Sequence, residues 1–308
     1  MSTRNVGLAR GRPAGSPDVA RVAEQKRARR APAWGIGLIS SWRRKLRRPS
    51  PYLMMAGIGL WLFSYWLFTE AWELPRFEKI PGPVEVITEW LDPNPVWGIS
   101  IYTPEYYDHI VASCLRILAA FGIATAIGVP IGLLMGWSTK FKDYTFPILE
   151  LLRPIPILAW VPLAILMFSG YETSVIFLAT LASLYVTILN TLLGVESIDK
   201  SYFRAAACLG AKPRHIFFHV VVPGAMPFIF TGLQISVAVA WFSLVAAEMV
   251  SGQYGLGYMI VNAYVNVTYV SMIIGMITLG FVGWVTSAMV RLAGNMLMEW
   301  RARSLQGG

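Results

Sequence analysis

Six stretches of mostly apolar residues, each close to the length that crosses a bilayer, constrain this chain more than any other feature. A spanning helix needs about 20 such residues, because hydrocarbon offers no water to an unpaired backbone amide or carbonyl. The stretches are 52–70, about 109–136, about 145–169, about 173–194, 228–250 and 271–292. They predict an all-α, polytopic integral membrane protein of about six transmembrane helices. Composition agrees, at 56% hydrophobic and 14% charged residues with a mean hydropathy of +0.54, outside the balance of a soluble domain. The first stretch lacks a small-residue cleavage pattern after it, so it is expected to be a retained span and not a signal peptide. The third, "RPIPILAWVPLAILMF", carries Pro154, Pro156 and Pro162 and is expected to be an irregular span.

Charge sets the expected topology. Residues 1–50 hold 13 of the 26 Lys and Arg against only Asp18 and Glu24, a local net charge of +11, and the rest of the chain carries −2. This is a basic arm on a near-neutral membrane body, so the pI of about 9.7 does not point to nucleic acid. With too few apolar residues to bury a core, the arm over 1–50 is expected to be disordered as far as "SWRRKLRR", which can lie on anionic lipid headgroups. Between the first two spans, residues 71–108 contain seven acidic residues against Arg76 and Lys79. By the positive-inside rule that loop is outside, and the arm, the segment 195–227 and the tail 301–308 are cytoplasmic. Residues 51–300 form the membrane domain.

Catalytic and cofactor motifs are missing. The chain has no GxxxxGK[ST] for binding ATP, no GxSxG and no HExxH. Cys114 and Cys208 have no paired spacing, and His215 and His219, four apart, lack a third ligand at helical spacing, so neither metal nor cofactor is expected. Gly252, Gly255 and Gly257 in "SGQYGLGYMI" follow no strand and read as an outward re-entrant turn.

The informative interruption is "RAAACLGAKPRHIFFHVVVPGAMP", residues 204–227, which lies between apolar runs yet carries Arg204, Lys212, Arg214 and three prolines. It reads as a short helix with the small residues Ala205, Ala206 and Ala207, a stop at Gly210, and a second short helix from Pro213 to Pro223. Such a bracket suits docking into a groove of another protein, or it is an amphipathic loop resting on headgroups.

These residues resemble the cytoplasmic signature of ABC importer permeases: Glu-Ala-Ala, three residues, Gly, nine residues, Ile, any, Leu, Pro. Arg204-Ala205-Ala206, Gly210, Val220, Val222 and Pro223 match every interval. Arg204 replaces the glutamate, so a salt bridge made by that glutamate does not carry over. "RPIPILAWVPLAILMF" (153–168), residues 230–260 and "PGPVEVITEW" (81–90) resemble the branch importing nitrate, bicarbonate, taurine and alkanesulfonates, over about residues 52–300. The resemblance implies a type I importer permease fold in a bacterial inner membrane, with both termini cytoplasmic. It implies a second permease subunit as a homodimer, two cytoplasmic ATPase subunits that perform the hydrolysis, and a periplasmic binding protein that delivers the solute. Arg204, Ala205, Ala206, Gly210 and Pro223 would then belong to the coupling helix that docks on the ATPase.

For the pathway, ionisable residues inside spans are the candidates, because lipid does not tolerate them unpaired. Arg153, beside the prolines of the third span, suits a passing oxyanion, or it neutralises Glu150 three residues earlier. Trp160 and Trp241 either line the pathway or pack between spans. Glu248 repels an anion and suits a gate or a helix-to-helix hydrogen bond. Arg116 lies near the outer third of its span and is expected to snorkel. The same machinery serving another organic solute, an ATP-independent secondary transporter and a membrane scaffold stand as alternatives. The secondary transporter calls for inverted repeats, which the sequence does not display, and the scaffold leaves the signature spacing unexplained.

Overall fold

The computed structural model describes residues 49–71 and 79–298. Within that range every regular element is helical. In chain order these are α1 (Pro49–Trp66) with a π-helical turn Leu67–Ala71, α2 (Pro83–Trp90), α3 (Pro104–Trp137) and α4 (Thr139–Leu152). A 3-10 turn Ile157–Trp160 leads into α5 (Val161–Met167), followed by α6 (Tyr171–Glu196), α7 (Lys200–Cys208) and α8 (Pro213–Ile216). A π-helical turn Phe217–Val221 joins α8 to α9 (Val222–Ser251), and α10 (Leu256–Val265) and α11 (Tyr269–Leu297) complete the set. Apart from Pro49 and Ser50, the basic arm lies outside the described residues, as does the tail 301–308.

The chain divides into two compact units, residues 1–64 and 65–308. The described part of the first is α1 as far as Ser64, a helix that is hydrophobic all round. Its apolar helical run, Met55–Thr69, is shorter than a crossing helix, so the span expected over 52–70 is not among the described helices long enough to cross a membrane.

Among the described residues of the second unit, four helices are long and apolar enough to cross a membrane: α3, α6, the continuous Pro213–Val250 and α11. The span expected over 145–169 is instead a bent pair, α4 and Ile157–Met167, which meet at 90° and make a fifth crossing if taken together. Pro154 and Pro156 explain the break. Each lacks an amide for the helical ladder, and Pro156 sits extended at φ −62° and ψ 138° before the chain turns helical again.

A second correction concerns Pro223. It does not end a short helix, because α8 continues through the π-helical turn into α9 without a gap. Pro223 falls at the first positions of α9, directly after the i→i+5 turn, where the changed register removes the demand for its missing amide.

Helix α6 packs along both α3 and α9 and is the central element of this unit. Its core joins Ile117 of α3, Val175 and Leu178 of α6, Val237 and Leu244 of α9, and Leu256 of α10. Close approach of α3 to α6 depends on small residues four apart at Gly128, Gly132 and Gly136. A Cβ at Gly132 would lie 2.6 Å from Thr191 Cβ and 2.7 Å from the Ile188 carbonyl.

Candidate functional site

Three sites emerge along the second unit, beginning with the bracket. Asp199 caps α7, its carboxylate accepting the Ser201 amide at 2.7 Å. That amide and the Ser201 side chain hold the Asp199 carboxyl below the ordinary carboxylate range. Gly210 ends the helix at φ +74°, with its amide on the Ala207 carbonyl at 2.9 Å and the Ala211 amide on Ala206 at 3.1 Å, the paired bonds of a Schellman stop. Lys212 then precedes Pro213, which opens α8. Arg204, Ala205 and Gly210 are exposed, Ala206 is half-buried, and Pro223 sits inside the continuing helix and off the bracket. Sequence reasoning missed Leu209, which is 88% exposed at the bracket's tip, and Tyr202 and Phe218, also exposed. An apolar residue directly before the glycine stop was the available signal. Around a Cβ at Gly210 the space is open, but φ +74° strains any residue other than glycine there.

At the opposite end of α6 lies a buried polar network. Arg116 of α3 was expected to snorkel, but its side chain is only 3% exposed. Its Nε and Nη2 donate to the two oxygens of Glu172 at 2.6 and 2.5 Å. Its Nη1 donates to Glu248 Oε1 at 2.7 Å and to the Tyr254 carbonyl at 2.6 Å. Glu248, fully buried, also accepts from Ser113 Oγ at 2.9 and 3.0 Å and from the Gly257 amide at 2.9 Å. Ser113 Oγ takes the Leu256 amide at 2.8 Å, and His109 Nδ1 takes the Gly255 amide at 3.1 Å.

The network therefore ties α3, α6 and α9 to the turn 252–255 that opens α10, and it explains the glycines of "SGQYGLG". Gly255 has φ +121°, and a Cβ there would overlap the Glu248 carboxylate. Glu248 is thus a helix-to-helix bridge, one of the two roles anticipated for it. The long i−j separations of Ser113 and His109 from their partners left no trace in local spacing.

The third feature is a chamber of about 650 Å³ lined by α4, the proline break, α6 and α9. Lys142, Phe146, Glu150 and Arg153 contribute from the bent pair, Tyr185, Asn190 and Glu196 from α6, and Ile235 and Val239 from α9. Lys142 Nζ pairs with Glu196 at 2.6 Å, and among the described residues neither Glu150 nor Arg153 takes part in an ion pair. Mutual neutralisation of Glu150 and Arg153 is therefore not what is observed. Of Arg153, Trp160, Trp241 and Glu248, only Arg153 lines this chamber. Trp241 is 5% exposed in the core and donates its Nε1 to Thr286 Oγ1 at 2.9 Å, a packing role. Trp160 packs half-buried against that core, and its Nε1 is buried with no hydrogen-bond partner among the described residues. Glu248 belongs to the network at the other end.

Comparison with known proteins decides the family. Residues 128–300 match the family profile described as binding-protein-dependent transport system inner membrane component. The chain belongs to this family. This permease is 32% identical over 264 residues to the taurine transport system permease protein of Escherichia coli (strain K12), covering 85% of the permease and 95% of that relative. It is 33% identical over 207 residues to a nitrate import permease protein of Synechocystis, covering 67% and 75%. Its fold is similar to a chain of the MetNI methionine ABC transporter in an inward-facing conformation, with a TM-score of 0.51 at 19% identity, covering 61% of the permease and 92% of that chain. The permease is thus a multi-pass inner-membrane transport component, and its long apolar helices are the membrane crossings.

Proposed function

We propose that the permease forms the translocation pathway of an ATP-driven importer for a small anion or organosulfonate, with Arg153 in the inner half of that pathway. In this reading two copies of the chain pair in the membrane, and two cytoplasmic ATPase subunits bind the α7–Gly210–α8 bracket. A periplasmic binding protein docks on the face where the Arg116 network lies. Both termini are cytoplasmic, and the basic arm rests on anionic lipid. The single observation that carries the reading is the bracket itself. It presents exposed Leu209 and Tyr202 beside Ala205 and Gly210, at signature spacing, on a loop between two crossing helices.

Mechanistically the permease is a bistable element that performs no bond chemistry. ATP-driven approach of the two ATPase subunits pulls the brackets together. Because α8 runs without a break into α9, movement of the bracket is transmitted directly to a crossing helix. The chamber near Lys142 and Glu196 opens toward the cytoplasm in one state, while the Arg116 network holds the opposite end together. An exposed guanidinium in such a chamber attracts an oxyanion through charge-assisted hydrogen bonds.

Reconstitution with the ATPase and binding protein tests the docking. Gly210→Trp is expected to abolish solute-stimulated ATPase activity while membrane insertion is retained, and stimulation that survives removes the bracket as the coupling element. Arg153→Ala is expected to slow uptake, and wild-type uptake across solute concentrations removes Arg153 from the pathway.

A further inference from the structure

The charges of the chamber balance, which is not what a pathway for a simple anion calls for. Of its four ionisable side chains of the Lys, Arg and Glu types, Lys142 and Glu196 neutralise each other at 2.6 Å. That leaves one cation, Arg153, and one anion, Glu150, neither in an ion pair among the described residues. A lone carboxylate beside the cation repels any solute that is only negative. It attracts one that also carries an ammonium group.

Geometry and an orphaned hydroxyl strengthen the point. Arg153 is the C-cap of α4 and still has helical dihedrals, φ −56° and ψ −40°, so Glu150 and Arg153 are neighbours on one helix face. Positions three apart on a helix have Cβ atoms about 5–6 Å apart, which suits a solute whose two charged ends are joined by a short carbon spacer. Across the chamber, Tyr185 is only 7% exposed, and its hydroxyl is buried with no hydrogen-bond partner among the described residues. A buried hydroxyl left unpaired is costly, and a bound solute that supplies its partner relieves that cost.

We infer that the chamber holds a small zwitterion, with its oxyanion on Arg153 and the Tyr185 hydroxyl and its ammonium on Glu150. This rests on the reading of the chamber as the transport pathway and narrows the solute from anions in general to those bearing a positive end. Glu150 is then the residue that discriminates an amino-oxyanion from its uncharged-tail counterpart.

Taurine and isethionate form a matched pair of probes, identical except that an ammonium in one is a hydroxyl in the other. With the full-length permease in lipid nanodiscs, saturation-transfer NMR titrations yield a Kd for each. Taurine is expected to bind about tenfold tighter than isethionate, the scale of one charge-assisted hydrogen bond. Glu150→Gln is expected to erase that ratio by weakening taurine alone, and Tyr185→Phe to weaken both probes alike. The inference is overturned if isethionate binds as tightly as taurine, if Glu150→Gln leaves the ratio unchanged, or if neither probe binds. None of these results alters the Gly210 coupling assay, so failure here is distinguishable from failure of the importer reading.

Discussion

Replacing the members of the Arg116 network one at a time gives a graded outcome, because the three charges differ sharply in burial. Arg116 and Glu248 are 3% and 0% exposed, whereas the Glu172 side chain is 62% exposed. Arg116→Ala strands the Glu248 carboxylate in the interior with only the Ser113 hydroxyl and Gly257 amide as donors. Breaking a buried ion pair in this way costs about 3–5 kcal/mol. Glu248→Ala leaves Arg116 with Glu172 and the Tyr254 carbonyl but deprives Ser113 and Gly257 of their acceptor, and it falls in the same range of about 3–5 kcal/mol. Glu172→Ala removes a largely solvated partner from a guanidinium that keeps Glu248, so about 1 kcal/mol is expected. The Arg116→Ala/Glu248→Ala double variant leaves no unpaired interior charge of this pair. Its cost should undercut the sum of the singles by about 2 kcal/mol. Unfolding of the detergent-solubilised protein by added SDS, followed by circular dichroism, measures all four. The reasoning is refuted if Glu172→Ala costs as much as Glu248→Ala, or if the double variant equals the sum of its parts.

Two further outcomes follow from the same geometry. Gly255→Ala forces a non-glycine residue to φ +121° and drives its Cβ into the Glu248 carboxylate, so the SDS titration should register a loss of at least about 1–3 kcal/mol; wild-type stability would show that the turn can relax. At the bracket, the lowered acidity range of Asp199 means its cap on Ser201 is present above the unfolded carboxylate pKa and lost as pH falls through the lower folded one. After correction for intrinsic exchange, hydrogen exchange at the Ser201 amide should therefore accelerate only on acidification below the ordinary Asp range, and acceleration beginning near neutrality contradicts the assignment.

Much of the molecule was legible in local pattern. Long apolar runs can satisfy their backbone in lipid only as helices, so α3, α6, α9 and α11 follow from hydropathy alone. The spacing from Arg204 to Gly210 marked α7 and its glycine stop, and the prolines at 154 and 156 marked a break. Two features were not legible. Whether a proline ends a helix or is absorbed by a π-helical turn depends on what the flanking residues pack against, and for Pro223 the helix continued. Whether an arginine in a span reaches out to the headgroups or inward to a carboxylate depends on partners over a hundred residues away, and Arg116 turned inward to Glu248.

The sequence by itself determined the membrane setting, the helical class, the bracket and its family, because each rests on periodicity or spacing within a few turns of chain. Only the tertiary structure decided which charges meet. It buried Arg116 against Glu248 and Glu172, withdrew Trp241 into the core, and left Arg153 and Glu150 lining a chamber with no ion-pair partner among the described residues. Whether a charge is satisfied or free is a property of the surfaces that helix packing brings together, and no local stretch contains both sides of such a contact.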